Sequence, residues 1–144
     1  PFMRYQPIDP GKAIVLDGRE ITALPVEHTV PAVAYQLDSG IASLVYSGDT
    51  GPCDAFWQAV NRIGNLRHLV IECAFSNRER KLAEVSRHLC PDLLAAELAK
   101  LKRGCQLHIT HLKPGQIEAT MSEIEACLGD YGPNMLQNND IFEF

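Results

Sequence analysis

The pattern of hydrophobic and polar positions changes once along the chain, near residue 50. Before that point, apolar and polar residues tend to alternate with a period of two, which is typical of β-strands with one buried face. Asp17-Gly18 is the strongest two-residue hairpin signal, and Asp38-Ser39-Gly40 marks a second turn. The first third is therefore predicted to be a β-meander, with strands over residues 12–17, 20–27, 32–37 and 41–46.

After residue 50, helical spacing alternates with short apolar runs. Residues 67–74 and 105–110 are such runs, as expected for strands covered on both faces, and residues 135–144 predict a last irregular strand. Helices are predicted from Pro52 to Gly64, over 77–87, over 93–102 with Gly104 as the stop, and from Pro114 to Leu128. These elements predict the α/β (α+β) class, with a mixed sheet flanked by helices in one unit over residues 1–144.

Three of the predicted strands end in polar side chains that can bind a metal or move a proton. Asp49, Glu72 and His111 each follow an apolar run. In α/β folds, ligands bind beyond the carboxyl ends of the strands, where the loops can be shaped for chemistry. The three side chains are therefore expected to share one active-site rim, with Asp49 as its pivot.

Each of these residues also has a structural alternative. Asp49 can form a turn or cap a helix instead of binding a metal, and His111 can cap the helix that follows it. Glu72 should be buried, where an ionised carboxylate requires a partner. His88 is the preferred partner, because a Glu–His pair orients the imidazole to give up a proton. A hydrogen bond from a loop amide to Glu72 is the alternative.

Other polar residues are assigned more simply. His28 lies in a loop that breaks the strand pattern and is interpreted as a second-shell donor or a further site histidine. Lys113 can hold a phosphate as a point charge, or can be a solvated lysine before a proline. His68 and His108 lie in strand runs and are interpreted as structural. Residues 77–81 are interpreted as a solvated helix face.

The net charge and composition limit the classes of partner that the chain is expected to bind. The chain has 144 residues and a net charge of −5, which argues against broad nucleic-acid binding because such binding needs Lys and Arg to neutralise phosphates. No apolar run approaches the roughly 20 residues needed to cross a bilayer, so no membrane partner is expected. Five cysteines without C-x-x-C pairing favour reduced, mostly buried thiols in a cytoplasmic setting. A periplasmic setting would require a leader ahead of Pro1.

Five segments in order resemble the C-terminal half of a metallo-β-lactamase-fold hydrolase. They are residues 26–35, Ser47-Gly48-Asp49-Thr50, Glu72-Cys73-Ala74-Phe75, His88 and residues 110–114. Within that superfamily they are most similar to the class II cyclic-nucleotide phosphodiesterases, with tRNase Z, the tRNA 3′-processing endonuclease, as the near relative. The resemblance implies half of an αββα sandwich and a metal-dependent hydrolase that cleaves 3′,5′-cyclic nucleotides (cAMP or cGMP) to 5′-nucleotides.

The resemblance also implies roles for the site residues. Asp49 matches the aspartate that bridges two metal ions, and His111 matches the last metal-binding histidine. Glu72 and His88 match the pair that protonates a leaving oxygen. The implied cofactors are two divalent metal ions, zinc with manganese or iron as alternatives.

The remaining assignments concern the substrate and the missing part of the pattern. Lys113 is expected to steady the phosphate, and His28 matches a histidine of a His-x-x-Pro loop near the site. The family's His-x-His-x-Asp-His motif and a further metal-binding histidine lie ahead of the matched part, and neither occurs here. Because zinc takes about four ligands, the site in this chain is expected to be incomplete and the chain alone inactive. Its open sheet face is expected to need the missing N-terminal half or, in a homo-oligomer, another copy.

Two alternatives stay open for the function. A tRNase Z-like or other metallo-phosphodiesterase is the alternative within the same class, although this sequence does not contain the basic or glycine-rich arm that an RNA enzyme of this kind usually needs. Outside that class, a non-catalytic assembly or regulatory module could keep the same motifs as relics.

Overall fold

A seven-stranded mixed sheet forms the centre of the computed structural model, which describes residue 2 and residues 7–144. The strands lie in chain order: β1 (Ala13–Leu16), β2 (Arg19–Pro25), β3 (Val33–Asp38), β4 (Ser43–Tyr46), β5 (Leu66–Glu72), β6 (Gln106–Thr110) and β7 (Asn134–Met135). Within the same residues there are four α-helices: α1 (Asp54–Val60), α2 (Arg80–Ser86), α3 (Pro91–Leu98) and α4 (Ile117–Leu128). The predicted α/β class and mixed sheet are confirmed.

Strands β1 to β4 form the antiparallel half of the sheet. The β1–β2 hairpin turns at Asp17 and Gly18, whose φ angles are both positive, at 48° and 75°. Two consecutive residues with positive φ are what a type I′ hairpin turn requires, and its twist matches that of the strands it joins. The predicted β-meander is confirmed.

Strands β4 to β7 form the parallel half, and the helices make the connections between them. Right-handed crossovers that proceed in one direction across a sheet put their helices on the same face. One face is accordingly covered by helices and carries the main hydrophobic core. Its members include Phe56, Trp57, Val60, Leu69, Ile71, Leu94, Leu98, Leu107, Ile109, Ile124 and Leu128.

All four helices are shorter than predicted: α1 covers only Asp54–Val60 of the range from Pro52 to Gly64, and α4 begins at Ile117 and not at Pro114. The helix expected over 93–102 is α3, which begins at Pro91, where the missing N–H of proline costs no hydrogen bond. It ends at Leu98, because the amides of Lys100 and Leu101 bond to carbonyls only three residues back and tighten the last turn before Gly104. The helix expected over 77–87 opens as a 3₁₀ turn and becomes α2 only at residue 80.

The strand predicted over residues 135–144 is wrong beyond β7. A turn follows, in which Asn139 has a positive φ of 71° and the Asp140 carboxylate accepts a hydrogen bond from the Gln137 amide at 2.7 Å. Leu136 still donates its amide to the Ile109 carbonyl at 2.9 Å, and the turn then takes residues 137–144 away from the strand and across the sheet face opposite the helices. There the Phe142 ring packs edge-on against His68 and His108, with centroid distances of 5.2 and 4.8 Å.

The face opposite the helices carries an open apolar groove, here called the sheet groove. Its volume is about 670 Å³. Its lining residues are Ile21, Tyr35, Leu37, Leu44, Tyr46, Val70, Leu136, Phe142 and Phe144. The C-terminal segment therefore covers only part of this face.

The cysteines are less buried than the sequence suggested. Cys73 and Cys90 are buried, Cys53 and Cys105 are half-buried, and Cys127 is exposed, so the prediction of mostly buried thiols is wrong for three of the five. Burial raises the pKa of the Cys73 thiol, which keeps that side chain protonated. Within the described residues, no helix combines the length and apolar character that a membrane span would need.

Candidate active site

The carboxyl ends of β4, β5 and β6 bring the candidate residues together. These strands are parallel neighbours, so Glu72 at the end of β5 lies opposite Thr110, the residue before His111. One ligand atom from each of Asp49, Glu72, His88 and His111 lies within 4.8 Å of the others. Of the residues that the structure describes, these form the one cluster of this kind. The predicted convergence on a single rim is present in the structure.

Asp49 and His111 form the solvent-facing side of the site. His111 Nδ1 lies 3.1 Å from Asp49 Oδ1, and both side chains are roughly half-exposed. His111 has a φ of 63°, in the left-handed region, which costs a residue with a Cβ about 1–2 kcal/mol. Gly48, at φ 58°, makes the other sharp turn, and a Cβ there would lie 3.4 Å from the Val33 carbonyl oxygen. Both turns aim a side chain back over the strand ends.

Glu72 lies fully buried behind these two residues and accepts four hydrogen bonds. Its Oε1 accepts from the Thr50 amide at 3.0 Å and from His88 Nδ1 at 2.6 Å. Its Oε2 accepts from the Ala74 amide at 3.0 Å and from the Leu89 amide at 3.2 Å. Both interpretations of Glu72 from the sequence are therefore present at once: it contacts His88, and it binds loop amides.

The environment of Glu72 shifts its acidity. Burial raises the pKa of this carboxyl to about 7, although the backbone amides of Thr50, Leu89 and Ala74 act in the opposite direction. Burial also lowers the pKa of His88, against the attraction of the Asp49 carboxylate. Burial therefore disfavours the charged form of both groups, which are joined by the 2.6 Å hydrogen bond between His88 Nδ1 and Glu72 Oε1.

The hydrogen bond from His88 to Glu72 decides which ring nitrogen faces the site. Nδ1 donates to the carboxylate, so Nε2 is the nitrogen left to meet a substrate. The ring is held between His28 and His111, with centroid distances of 4.8 and 5.2 Å, and Phe75 packs edge-on at 5.7 Å. The imidazole is fixed in one orientation and can give or accept a proton at Nε2.

The structure also places His28 and Lys113 at the site. His28 Nε2 lies 4.0 Å from Asp49 Oδ2. Lys113 Nζ lies 3.8 Å from the centroid of the Phe75 ring, a cation–π contact that holds the ammonium group near His88. His68 and His108 lie elsewhere, with His68 Nδ1 and His108 Nε2 3.2 Å apart.

The donor set fits part of a metal centre. The four hydrogen bonds occupy the lone-pair directions of the Glu72 carboxylate, so this residue cannot also be a ligand. Asp49 and His111 offer a carboxylate oxygen and an imidazole nitrogen that face each other, which suits zinc, iron or manganese. Two donors are about half of what zinc takes, so further ligands must come from outside these residues.

Sequence reasoning missed several groups that build the site. The amides of Thr50, Ala74 and Leu89 bind Glu72, but backbone groups leave no signal in a sequence. The ion pair between Glu27 and Arg87 joins two loops behind the site. These two residues are 60 positions apart, so no local spacing pattern connects them.

A family model and several solved structures match this chain, and they agree on its fold. A family model described as a β-lactamase superfamily domain matches residues 1–128. The solved metallo-β-lactamase fold protein YhfI from Bacillus subtilis superposes with a TM-score of 0.76 at 19% identity, covering 94% of this chain and 54% of that one. No curated protein matches the sequence.

Two further solved structures share the fold at low identity. Unliganded yeast PDE1 superposes with a TM-score of 0.73 at 14% identity, covering 90% of this chain and 47% of that one. Human tRNase Z, short form (ELAC1), superposes with a TM-score of 0.56 at 15% identity, covering 72% of this chain and 39% of that one. This chain therefore spans about half the length of the structures it resembles, or less.

Proposed function

The chain belongs to the family described as the β-lactamase superfamily domain, and from that premise we propose its function. It is the C-terminal part of a metal-dependent hydrolase that cleaves phosphodiester bonds, with 3′,5′-cyclic nucleotides as substrates. The observation that carries the proposal is the Glu72–His88 pair. It turns the Nε2 ring nitrogen of His88 toward the side of the site where Asp49 and His111 face each other. Cleavage of a phosphodiester needs a proton at the leaving oxygen and positive charge near the phosphoryl oxygens. His88 would donate the proton, and Asp49 and His111 would hold the metal that provides the positive charge.

Asp49 and His111 would hold the metal. Two divalent ions, zinc with manganese or iron as alternatives, supply when bound an activated water and neutralisation of the phosphoryl charge. Asp49 reaches both sides of the site, since its Oδ1 faces His111 and its Oδ2 faces His28. Such a carboxylate is suited to bridge two ions, in keeping with the role that the resemblance implies.

The remaining residues act on the substrate. His88 donates the Nε2 proton to the departing ribose oxygen, while Glu72 holds Nδ1 and stabilises the charged ring. Lys113 is held over Phe75 beside His88 and contributes positive charge for the phosphate. His28 packs edge-on against the His88 ring and contacts the sugar or phosphate from there.

The proposed function is tested with the full-length protein and a panel of phosphodiesters: cyclic AMP, cyclic GMP, bis(p-nitrophenyl) phosphate and a tRNA precursor with a 3′ extension. We expect turnover of the cyclic nucleotides. Cleavage of the precursor alone would favour the tRNase Z-like alternative, for which the similar fold of human tRNase Z is the supporting observation. Absence of turnover on every substrate would favour a non-catalytic module.

Asp49→Asn tests the metal assignment in the same protein. Asparagine keeps the shape of the side chain but loses the charge that a bridging ligand needs. We expect metal content to fall from about two ions per chain to about one or fewer, measured by elemental analysis after dialysis. Asp130→Asn changes an exposed carboxylate in a 3₁₀ turn and serves as the control. Full metal content in Asp49→Asn would contradict the assignment.

The sheet groove supports a second element of the proposal, that the remainder of the same domain covers this face. The groove is apolar, and YhfI and yeast PDE1 are each about twice the length that this chain covers. A second copy of the chain, in a homo-oligomer, is the alternative occupant. Light scattering distinguishes them, since a monomeric full-length protein excludes the second copy.

Tyr46→Glu tests the covering of the groove. Tyr46 lines it and is 43% exposed, whereas Tyr131, at 41%, lies away from it in the 3₁₀ turn after α4. In the full-length protein, Tyr46→Glu is expected to lower the free energy of unfolding by about 2 kcal/mol, because a charge would be buried without a partner. Tyr131→Glu, the control, is expected to cost about 1 kcal/mol or less. Equal costs would mean that the groove stays open to water.

A further inference from the structure

Three loops meet behind the candidate active site. Glu27 lies in the loop that follows β2. Its backbone amide donates to Thr50 Oγ1 at 3.2 Å, and its backbone carbonyl accepts from the Gly51 amide at 2.8 Å. The Arg87 guanidinium forms an ion pair with the Glu27 carboxylate and donates to the His28 carbonyl at 3.2 Å. The packing is tight, since a Cβ on Gly51 would lie 3.2 Å from the Arg87 backbone.

The backbone of Arg87 is held in an uncommon conformation. Its φ and ψ are 55° and 54°, in the left-handed region that residues with a Cβ seldom adopt. In this conformation the Arg87 carbonyl lies 3.1 Å from His28 Nδ1. The next residue is His88, whose ring packs edge-on against His28. The position of the Arg87 backbone therefore affects where the rings of His28 and His88 lie.

The contact with the Arg87 carbonyl determines the tautomer of His28. A carbonyl oxygen can only accept a hydrogen bond, so His28 Nδ1 must carry the hydrogen. The neutral ring then keeps its lone pair on Nε2, the nitrogen that lies 4.0 Å from Asp49 Oδ2. His28 thus presents an acceptor beside Asp49, where a substrate hydroxyl can donate to it.

We propose that Glu27 and Arg87 are positioning residues for the reaction: their ion pair holds the Arg87 carbonyl on His28 Nδ1 and keeps the His28 Nε2 lone pair turned toward Asp49. The inference rests on the proposed function. The two side chains are 52% and 50% exposed, and an exposed ion pair contributes little to stability. A role in positioning therefore predicts a loss of rate without a loss of folding.

The test compares Glu27→Gln, Arg87→Gln and the double variant with Glu84→Gln. Glu84 pairs with Arg80 on α2 at the same exposure, 50% for both side chains, and receives the same chemical change. The first readout is heteronuclear NMR of the imidazole nitrogens in the metal-free full-length protein, with the His28 signals assigned from a His28→Gln sample. We expect a protonated Nδ1 in the wild type and in Glu84→Gln, and mixed tautomers in Glu27→Gln and Arg87→Gln.

The second readout is turnover of the metal-loaded protein on cyclic AMP. Glu27→Gln is expected to lower kcat about 10-fold, with KM within about twofold, because misplacement of a catalytic group acts on the rate. The double variant is expected to lose no more than either single variant, since both remove the same ion pair. Arg87→Lys keeps the charge at the same backbone conformation and is expected to recover most of the loss. Melting temperatures should match that of Glu84→Gln.

Several results would overturn the proposal. A His28 ring protonated at Nε2 in the wild type would do so, as would an unchanged tautomer in Glu27→Gln. A changed tautomer with an unchanged kcat would also reject it, because the pair would then serve no positioning role in the reaction. The NMR readout needs no turnover, so an inactive wild type would reject the proposed function while the spectra still decide whether the ion pair sets the tautomer.

Discussion

Replacing His88 by asparagine in the full-length protein is expected to lower kcat on cyclic AMP by about 10²- to 10⁴-fold, the usual contribution of a positioned general acid. The ring nitrogen Nδ1 is committed to Glu72 at 2.6 Å, so Nε2 is the nitrogen that meets the leaving ribose oxygen. In the doubly protonated ring, Nε2 carries the proton that this oxygen needs. Asparagine removes that nitrogen. Its side-chain amide can still donate to Glu72 from near the Nδ1 position, so the buried carboxylate keeps its partner and the fold is preserved.

The role of His88 as a proton donor is separated from other roles by the choice of leaving group. The ribose alkoxide leaves poorly without a proton, whereas p-nitrophenolate leaves without one. We therefore expect His88→Asn to lose about 10-fold or less on bis(p-nitrophenyl) phosphate, against the much larger loss on cyclic AMP. His108→Asn, which changes a half-buried histidine outside the site, is the control. Equal losses on the two substrates would reject the role.

The site residues that follow strand ends could be predicted from the sequence. Asp49, Glu72 and His111 are each recognisable as a polar group that follows an apolar run, and parallel pairing of β4, β5 and β6 brings them to one edge. The burial of Glu72 could also be predicted, because its neighbours on both sides are apolar. Its need for a partner then points to His88, which the structure places 2.6 Å away.

The groups that hold this site in place were beyond sequence reasoning. Three backbone amides satisfy Glu72, and every residue except proline has such an amide, so nothing in the sequence marks these three. The Glu27–Arg87 pair depends on how two distant loops pack. The C-terminal residues 137–144 resemble a strand in sequence because they are partly apolar, but a local turn at Asn139 determines their path. Long-range packing and turns decided each of these points.

The site residues differ in burial, and the order of their burial matches the roles proposed for them. Asp49 and His111 are half-exposed, where they can meet metal and substrate; His88 is mostly buried; Glu72 is fully buried. The buried carboxylate is thus the group on which both the fold and the chemistry depend. A substitution at Glu72 should therefore affect stability and catalysis together, in contrast to His88→Asn.

Replacing Glu72 by glutamine is expected to lower the free energy of unfolding by about 3 kcal/mol, because a buried donor is left without an acceptor and the charged acceptor is lost. Each carboxylate oxygen accepts at least one backbone N–H: Oε1 from Thr50, Oε2 from Ala74 and Leu89. The amide nitrogen of glutamine must therefore face an N–H in either orientation. The ring of His88 also loses its anionic partner, so kcat on cyclic AMP should fall.

Glu97→Gln is the matched control for this loss. Glu97 is a second buried carboxylate, away from the site, and accepts from Trp57 Nε1 at 2.6 Å, the Cys53 amide at 3.1 Å and Lys100 Nζ at 2.6 Å. One orientation of glutamine keeps the first two bonds, and the lysine can turn to water, so urea unfolding should show a cost of about 1 kcal/mol. With kcat measured where both variants are fully folded, only Glu72→Gln should be slow. If Glu72→Gln retained the wild-type rate, Glu72 would be a structural carboxylate and His88 would act without it.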